Sequence, residues 1–287
     1  MHYSNTVLFK RILLGLAAAL LLTAVMFACK KGGNDDNSSV DPADVNKLQS
    51  VLQITGSSLI SGNLPTPTSG TSAPKLSLSQ SSASISPGGL LILPFQFIAQ
   101  GGYNWVYIQV DGATNGCFRI PASSITASGN VIGIMTGIPS RVLLGNFCVS
   151  YCIEDSQGRI SNVINTCVTL RQALSCIDAY ASGHEGLTFT NIEMGDKSGT
   201  AKIIYDTYTV PDRIDVYQGK KWLTGTGADP QSLIPPLSNC STALPGFVGK
   251  SSTLSFPYNP SDGKTITVVV SGCLGGGTAW DWEMDCP

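Results

Sequence analysis

The chain has 287 residues, with 17 Lys+Arg against 19 Asp+Glu and a formal net charge of −2. Charged residues are 13% of it, roughly half the ~25% usual for soluble proteins. The lack of a basic excess argues against a nucleic-acid role, and 43% hydrophobic residues argue against a wholly disordered body.

Residues 1–28 read as an export signal. Lys10 and Arg11 form the positive n-region, and Ile12 to Ala28 is an uncharged apolar run. Val25-Met26-Phe27-Ala28-Cys29 resembles a lipobox, the processing site of bacterial lipoproteins. The resemblance implies acylation of Cys29 and a membrane partner reached through that anchor. Cleavage there removes Lys10, Arg11 and His2 but no acid, and leaves His184 as the one histidine. The Asp35-Asp36 pair resembles the export tag of surface-displayed lipoproteins, which implies the outer membrane and its external face, with a periplasmic position as the alternative.

Residues 29–75 read as the lipidated Cys29 and a flexible tether. One short segment is patterned: Pro42 at a first helical position, with Val45, Leu48, Val51 and Leu52 on one face. Residues 63–75 carry Pro65, Pro67 and Pro74 and are expected to be poorly ordered.

Residues 76–171 read as short strands between turns. They include Leu90–Phe97, Trp105–Val110, Cys117–Ile120, Val131–Ile134, Phe147–Ile153 and Ile160–Leu170, the last two flanking a hairpin turn at Asp155-Ser156-Gln157-Gly158. The spacing is that of a β-sandwich, and the order, with Trp105 on the third strand, resembles an immunoglobulin-like domain. That resemblance implies a core position for Trp105. Residues 172–186 read as a connector.

Residues 187–287 read as a second β domain, with strands at 187–189, 199–205, 213–217, 253–256, 265–270 and 279–284. The strand at 213–217 puts Arg213, Asp215 and Tyr217 on a polar face and Ile214 and Val216 inward. Val210-Pro211-Asp212-Arg213, Thr224-Gly225-Thr226-Gly227 and Gly277-Thr278-Ala279-Trp280 before Cys286-Pro287 resemble a small β-sandwich module found at the ends of secreted bacterial proteins. They are also similar, distantly, to CUB domains. The expected fold class is therefore all-β: two tandem antiparallel β-sandwich domains after a lipoprotein signal and a flexible linker.

Setting Cys29 aside, eight cysteines remain, and an even count in an exported chain points to disulfides. Alignment about the 155–158 turn brings Cys148 and Cys167 onto neighbouring strands, with a small bulge needed to level them. Cys117 is then left with Cys152. The resemblance of the second domain implies Cys176–Cys286 and Cys240–Cys273.

Few groups suggest chemistry. His184 beside Glu185 reads as a general base or as a solvated loop residue. Gly275-Gly276-Gly277 lacks the lysine of a phosphate loop and reads as a turn. Asp206, Asp212 and Asp215 form either a calcium site or a structural corner at Pro211. No other cofactor is expected. Trp280 and Trp282 share one strand face and, with Tyr217 and Trp222, either stack a sugar or pack in the core. The function expected is a non-catalytic surface lipoprotein used for adhesion or for capture of a glycan or protein ligand. The alternative is an accessory glycan-processing enzyme or a subunit of a glycan-uptake system.

Overall fold

The computed structural model describes residues 38–78, 82–125, 127–128, 130–230, 242 and 244–287. The signal segment, Cys29 and Cys240 lie outside the described residues. The first half holds α1 (Val45–Val51), β1 (Gln53–Ile54), β2 (Ser58–Ile60), β3 (Lys75–Leu78), β4 (Ser82–Ile85), β5 (Leu90–Ile98), β6 (Tyr103–Val110), β7 (Cys117–Pro121), β8 (Ala127–Ser128), β9 (Val131–Gly137), β10 (Gly145–Asp155) and β11 (Ile164–Leu170). The second half holds β12 (Leu174–Ser175), β13 (Tyr180–Gly183), β14 (Gly186–Glu193), β15 (Gly199–Asp206), β16 (Arg213–Gln218), β17 (Lys221–Gly225), β18 (Ser251–Tyr258), β19 (Thr265–Gly272) and β20 (Trp280–Asp285).

The strands form four sheets. Sheet 1 runs β2-β7-β6-β10-β11-β4, and sheet 2 runs β1-β9-β5-β3 with β8 on β9. Sheet 3 runs β12-β14-β19-β16-β17, and sheet 4 runs β13-β20-β15-β18. Pairing is antiparallel except between β11 and β4 and between β12 and β14. The fold is all-β. Alternation along each strand sends Leu91, Leu93 and Phe95 of β5 against Val106, Ile108, Val149 and Tyr151 of sheet 1, closing the first sandwich. Ile203, Tyr205, Trp280 and Trp282 of sheet 4 meet Ile214, Val216, Val268 and Val270 of sheet 3, closing the second.

The two sandwiches are fused face to face. Every residue of β16 and β19 is buried, and so is β5 from Leu90 to Phe95. A one-sided strand would alternate, so these strands are covered on both faces. The second cover is a separate apolar cluster of Leu90 and Ile92 from sheet 2 with Leu187, Phe189, Tyr217 and Val269 from sheet 3. A polar clip runs beside it. Asn191 Oδ1 accepts from the Ser86 N–H at 2.7 Å, Asn191 Nδ2 donates to Thr267 Oγ1 at 2.8 Å, and the Leu90 N–H donates to the same hydroxyl at 3.0 Å. Each buried apolar side chain contributes ~1.5–3 kcal/mol and each hydrogen bond only ~1 net, so the apolar patch supplies the strength. The clip supplies the register, because an unpaired buried amide is penalised. The layer order is sheet 1, sheet 2, sheet 3, sheet 4, and residues 39–287 form one compact unit.

Three expectations need correction. The first concerns the tether. From Ser39 onward the segment 39–75 belongs to the first sandwich. Val40 is buried and bridges to Val142, and β1 and β2 pair with β9 and β7. The helix starts at Val45, capped by Asp44, rather than at Pro42. Gln49 is fully buried; its Oε1 accepts from the Val110 N–H at 2.9 Å while its Nε2 donates to Asn115 Oδ1 at 2.8 Å. The proline-rich stretch is held by Leu64 N–H donating to Gln109 Oε1 at 3.1 Å and by Thr68 and Ile160 bonding each other. The second correction is to the connector at 172–186, which carries β12 and β13, edge strands of sheets 3 and 4. The third is Trp105. It lies half-buried on the outer face of sheet 1, 4.0 Å beneath the Arg119 guanidinium, and not in the core.

The clip makes a specific prediction. Asn191→Ala orphans the Ser86 N–H and should cost about 1–3 kcal/mol. A Cβ on Gly89 runs into the Asn191 amide and comes within 3.0 Å of the Ser86 carbonyl. Gly89→Ala should cost a similar ~1–3 kcal/mol by overpacking. Denaturant titration checks both, and a pair of neutral variants would contradict the clip.

Candidate functional site

The three carboxylates read as a calcium set are held in three different places. Asp206 sits at the end of β15, where it accepts from the Tyr208 N–H at 2.7 Å and from Ser251 Oγ at 2.8 Å. Asp212 is fully buried at the Pro211 corner. Its Oδ1 accepts from the Cys273 N–H at 2.9 Å and its Oδ2 from the Thr278 hydroxyl at 2.5 Å. Asp215 takes a bidentate pair from Arg213, with Nε to Oδ2 at 2.7 Å and Nη2 to Oδ1 at 2.9 Å, plus the Trp222 indole N–H at 3.0 Å. No group of three metal-ligating side chains occurs among the described residues. The geometry is that of a structural corner.

The polar face of β16 is thereby explained. Arg213 is buried among backbone carbonyls as well as Asp215, donating to Pro245 O at 2.9 Å and Ala228 O at 2.8 Å. Glycine makes the room. A Cβ on Gly227 would come within 2.7 Å of Arg213 Nη1, and one on Gly246 or Gly225 would strike the guanidinium or the Asp215 carboxylate. The Thr224-Gly225-Thr226-Gly227 string thus serves a buried ion pair.

The aromatic platform does not form. Tyr217, Trp280 and Trp282 are buried, and Trp222 is half-buried against the inter-sandwich cluster. Gly183 lies opposite Trp280 because a Cβ there would strike the indole ring. Trp280 Nε1 donates to the His184 carbonyl at 2.9 Å. Glu185 is not aimed at His184. Its carboxylate accepts from the Gly277 N–H at 3.1 Å, and bonds from the Gly275 and Gly277 amides hold it below the usual carboxylate range. The triple glycine is a turn that wraps Glu185.

Two disulfides form as expected, Cys148–Cys167 and Cys176–Cys286. Cys148 and Cys167 face each other directly in the β10–β11 register, so no bulge is needed. Cys273 is disulfide-bonded, and Cys240, its expected partner, lies outside the described residues. The Cys117–Cys152 bridge is overturned, since both are buried free thiols. They lie on β7 and β10, which flank β6. Two strand spacings are roughly 10 Å, beyond the ~7 Å Cα separation that a disulfide spans. Burial pushes the Cys152 thiol up to about 12, helped by Cys117 and Glu154, so it stays unreactive.

What remains open is surface that sequence reasoning did not single out. A cleft of about 590 Å³ beside the inter-sandwich junction is lined by Gln53, Pro139, Glu193, Asp262 and Lys264. Its cations are engaged locally: Lys264 with Asp196 at 2.6 Å, and Lys221, at its rim, with Asp262 at 3.4 Å. The outer face of sheet 4 is different. Tyr180, Glu283, Ile204 and Thr253 form one cross-strand row, and Ser182, Asp281, Asp206 and Ser251 the next. Tyr180 is 57% exposed, Ile204 45% and Tyr208 48%. Tyr208, just past β15, has φ 47°, and its hydroxyl donates to Asp281 Oδ2 at 2.5 Å. That bond and the Asp281 charge, with Asp206 and Tyr180 nearby, raise the phenol above its ordinary value. The clue in the sequence was the alternation Trp280-Asp281-Trp282-Glu283-Met284-Asp285, which sends every acid outward once both tryptophans point in.

No protein-family model and no curated protein matches the chain. Solved structures similar to parts of it include an adhesin and fibronectin(III)-like modules. The SrpA adhesin of Streptococcus sanguinis shares 13% identity over 36% of this chain and 60% of its own, with a TM-score of 0.26. Fibronectin(III)-like modules of CbhA from Clostridium thermocellum share 17% identity over 35% of this chain and 99% of their own, with a TM-score of 0.22. The chain thus spans about 60% of the length of the adhesin structure.

Two predictions follow from the buried groups. Burial raises the Asp212 carboxyl above its ordinary value, partly offset by Thr278 and Cys273. The native state therefore holds its proton more tightly than the unfolded chain. Relative to Asp212→Asn, the wild type should lose stability as pH rises from about 4 through the raised native value. Asp212→Ala should cost ~1–3 kcal/mol, and millimolar calcium should leave the melting temperature unchanged. A calcium-dependent gain abolished by Asp212→Ala would contradict the structural role. The second prediction concerns thiols. Alkylation of the unfolded, unreduced chain should label Cys117 and Cys152 but none of Cys148, Cys167, Cys176 and Cys286. Recovery of a Cys117–Cys152 linked peptide would contradict the structure.

Proposed function

We propose that this chain is an exported, lipid-anchored, non-catalytic binding module that presents the outer face of sheet 4 at the cell surface. Disulfides belong to an oxidising compartment, which supports export. The lipobox-like run ending at Cys29 supports the anchor. One observation carries the binding reading: the chemistry-bearing groups of the second sandwich are used up internally, whereas Tyr180, Ile204 and Tyr208 are left exposed on one sheet face. Asp212, Asp215, Arg213, Trp280 and Glu185 all have structural partners.

The layer order supports presentation. The chain enters the first sandwich at Val40, and sheet 4 is the layer on the far side of the stack. Ten residues separate Cys29 from Val40, and at ~3.3–3.6 Å per residue they reach at most about 40 Å.

Cys29→Ser tests the anchor. Wild type should incorporate radiolabelled palmitate, sediment with membranes and be cleaved by protease added to intact cells. The variant should take up no label and appear soluble or unprocessed. Unchanged membrane partitioning with normal processing would overturn the anchoring, and protease resistance in intact cells would overturn surface display.

A further inference from the structure

The proposal above leaves the ligand class of the sheet 4 face open, and the inference here rests on that reading. We infer that this face docks a cationic polypeptide segment, one whose lysine or arginine side chains meet the β20 carboxylates while its apolar stems lie on Tyr180 and Ile204. The first ground is charge. Asp281, Glu283 and Asp285 project from β20, and Asp206 stands opposite Asp281 on β15. The basic residue among the outward positions of β15 is Lys202, engaged by Asp285 at 3.4 Å. Four carboxylates against one ammonium give a strong negative field, which favours a cationic partner and speeds its encounter.

The second ground is the apolar component. A solvated acidic face needs no aromatic residues, yet Tyr180 and Tyr208 flank the carboxylates and Ile204 lies between them and β18. Tyrosine rings attract lysine and arginine heads, and the stems of those side chains cover apolar surface. The Asp281 acceptor and the Asp206 bond to the Tyr208 amide hold the Tyr208 ring beside the acids. The third ground is what the sheet edge does not offer. Of the two edge strands of sheet 4, β18 contains Pro257, which lacks a donor, and β13 is four residues long, so both are poor templates for strand addition and docking falls to the side-chain face.

The test uses the full chain in non-ionic detergent, with decalysine as probe and fluorescence anisotropy as readout. Decalysine should bind at 50 mM salt and weaken at least tenfold at 500 mM. The double variant Asp281→Asn, Glu283→Gln should lose at least tenfold in affinity. Tyr180→Ala should lose about two- to fivefold, the scale of one exposed cation–π contact. Glu193→Gln, in the cleft beside the junction, should change nothing, which separates a site from general acidity. All four positions are exposed or half-exposed, and an unchanged melting temperature confirms that each variant folds. Equal decalysine affinity for wild type and the double variant would overturn the proposal. So would salt-insensitive binding of an uncharged oligosaccharide such as cellohexaose that Tyr180→Ala abolishes and the charge variant does not. Neither failure touches the Cys29→Ser fractionation, so the ligand class and the anchoring are judged separately.

Discussion

The burial of two sheets against each other, fixed in register by Asn191 and Thr267, is the constraint on which the rest of the structure depends. A lone β-sandwich has two solvent-facing outer sheet surfaces. Here one surface of each sandwich is consumed in the junction, through Leu90 and Ile92 on one side and Leu187, Phe189, Tyr217 and Val269 on the other. The consequences run outward. On the same face of β16 as Tyr217, Arg213 and Asp215 are buried beneath Gly227, Ala228, Pro245 and Gly246, so the arginine must be paired and its remaining N–H groups must find carbonyls. The glycines at 225, 227 and 246 then become obligatory, because any side chain there would collide with the pair.

The same constraint leaves the outer faces of sheets 1 and 4 as the broad sheet surfaces. On sheet 1 the segment 57–68 lies across part of that face, burying Cys117 and Cys152 in a small cluster with Tyr107 and Ile160. On sheet 4 Tyr180, Ile204, Glu283 and Asp285 stay exposed and Asp281 half-exposed. Buried and solvent-facing polar groups are thereby separated in space. The buried carboxylates of Asp212 and Asp215 hold backbone and guanidinium, while Glu283 is exposed and Asp281 is half-exposed beneath the Tyr208 hydroxyl.

The strands were legible in the sequence wherever one face differs from the other. Trp105–Val110, Gly199–Tyr205 and Thr265–Val270 alternate in the sequence and are strands in the structure. What alternation does not reveal is what covers the second face. Thr265, Thr267 and Ser271 are polar residues of β19, yet all three are buried. The segment 39–75 has the composition of a tether, and its order comes from partners such as Gln109 and Ile160, 45 and 92 residues away. Local composition carries no trace of such partners. β12 and β13 are two and four residues long, too short for a period to show. The Cys117–Cys152 pairing rested on elimination, and elimination is blind to an intervening strand. The candidate site was half legible. The carboxylates and tyrosines were visible as residues, but the sense in which Trp280 and Trp282 point decides whether the face is aromatic or acidic, and only packing sets it.

If the junction is the organising contact, residues 39–287 unfold as one body although they contain two sandwiches. Differential scanning calorimetry of the oxidised full chain measures this directly. A single transition is expected, with calorimetric and van't Hoff enthalpies equal. Two resolved transitions, or a calorimetric enthalpy about twice the van't Hoff value, would show that the sandwiches melt independently and that the junction does not unite them.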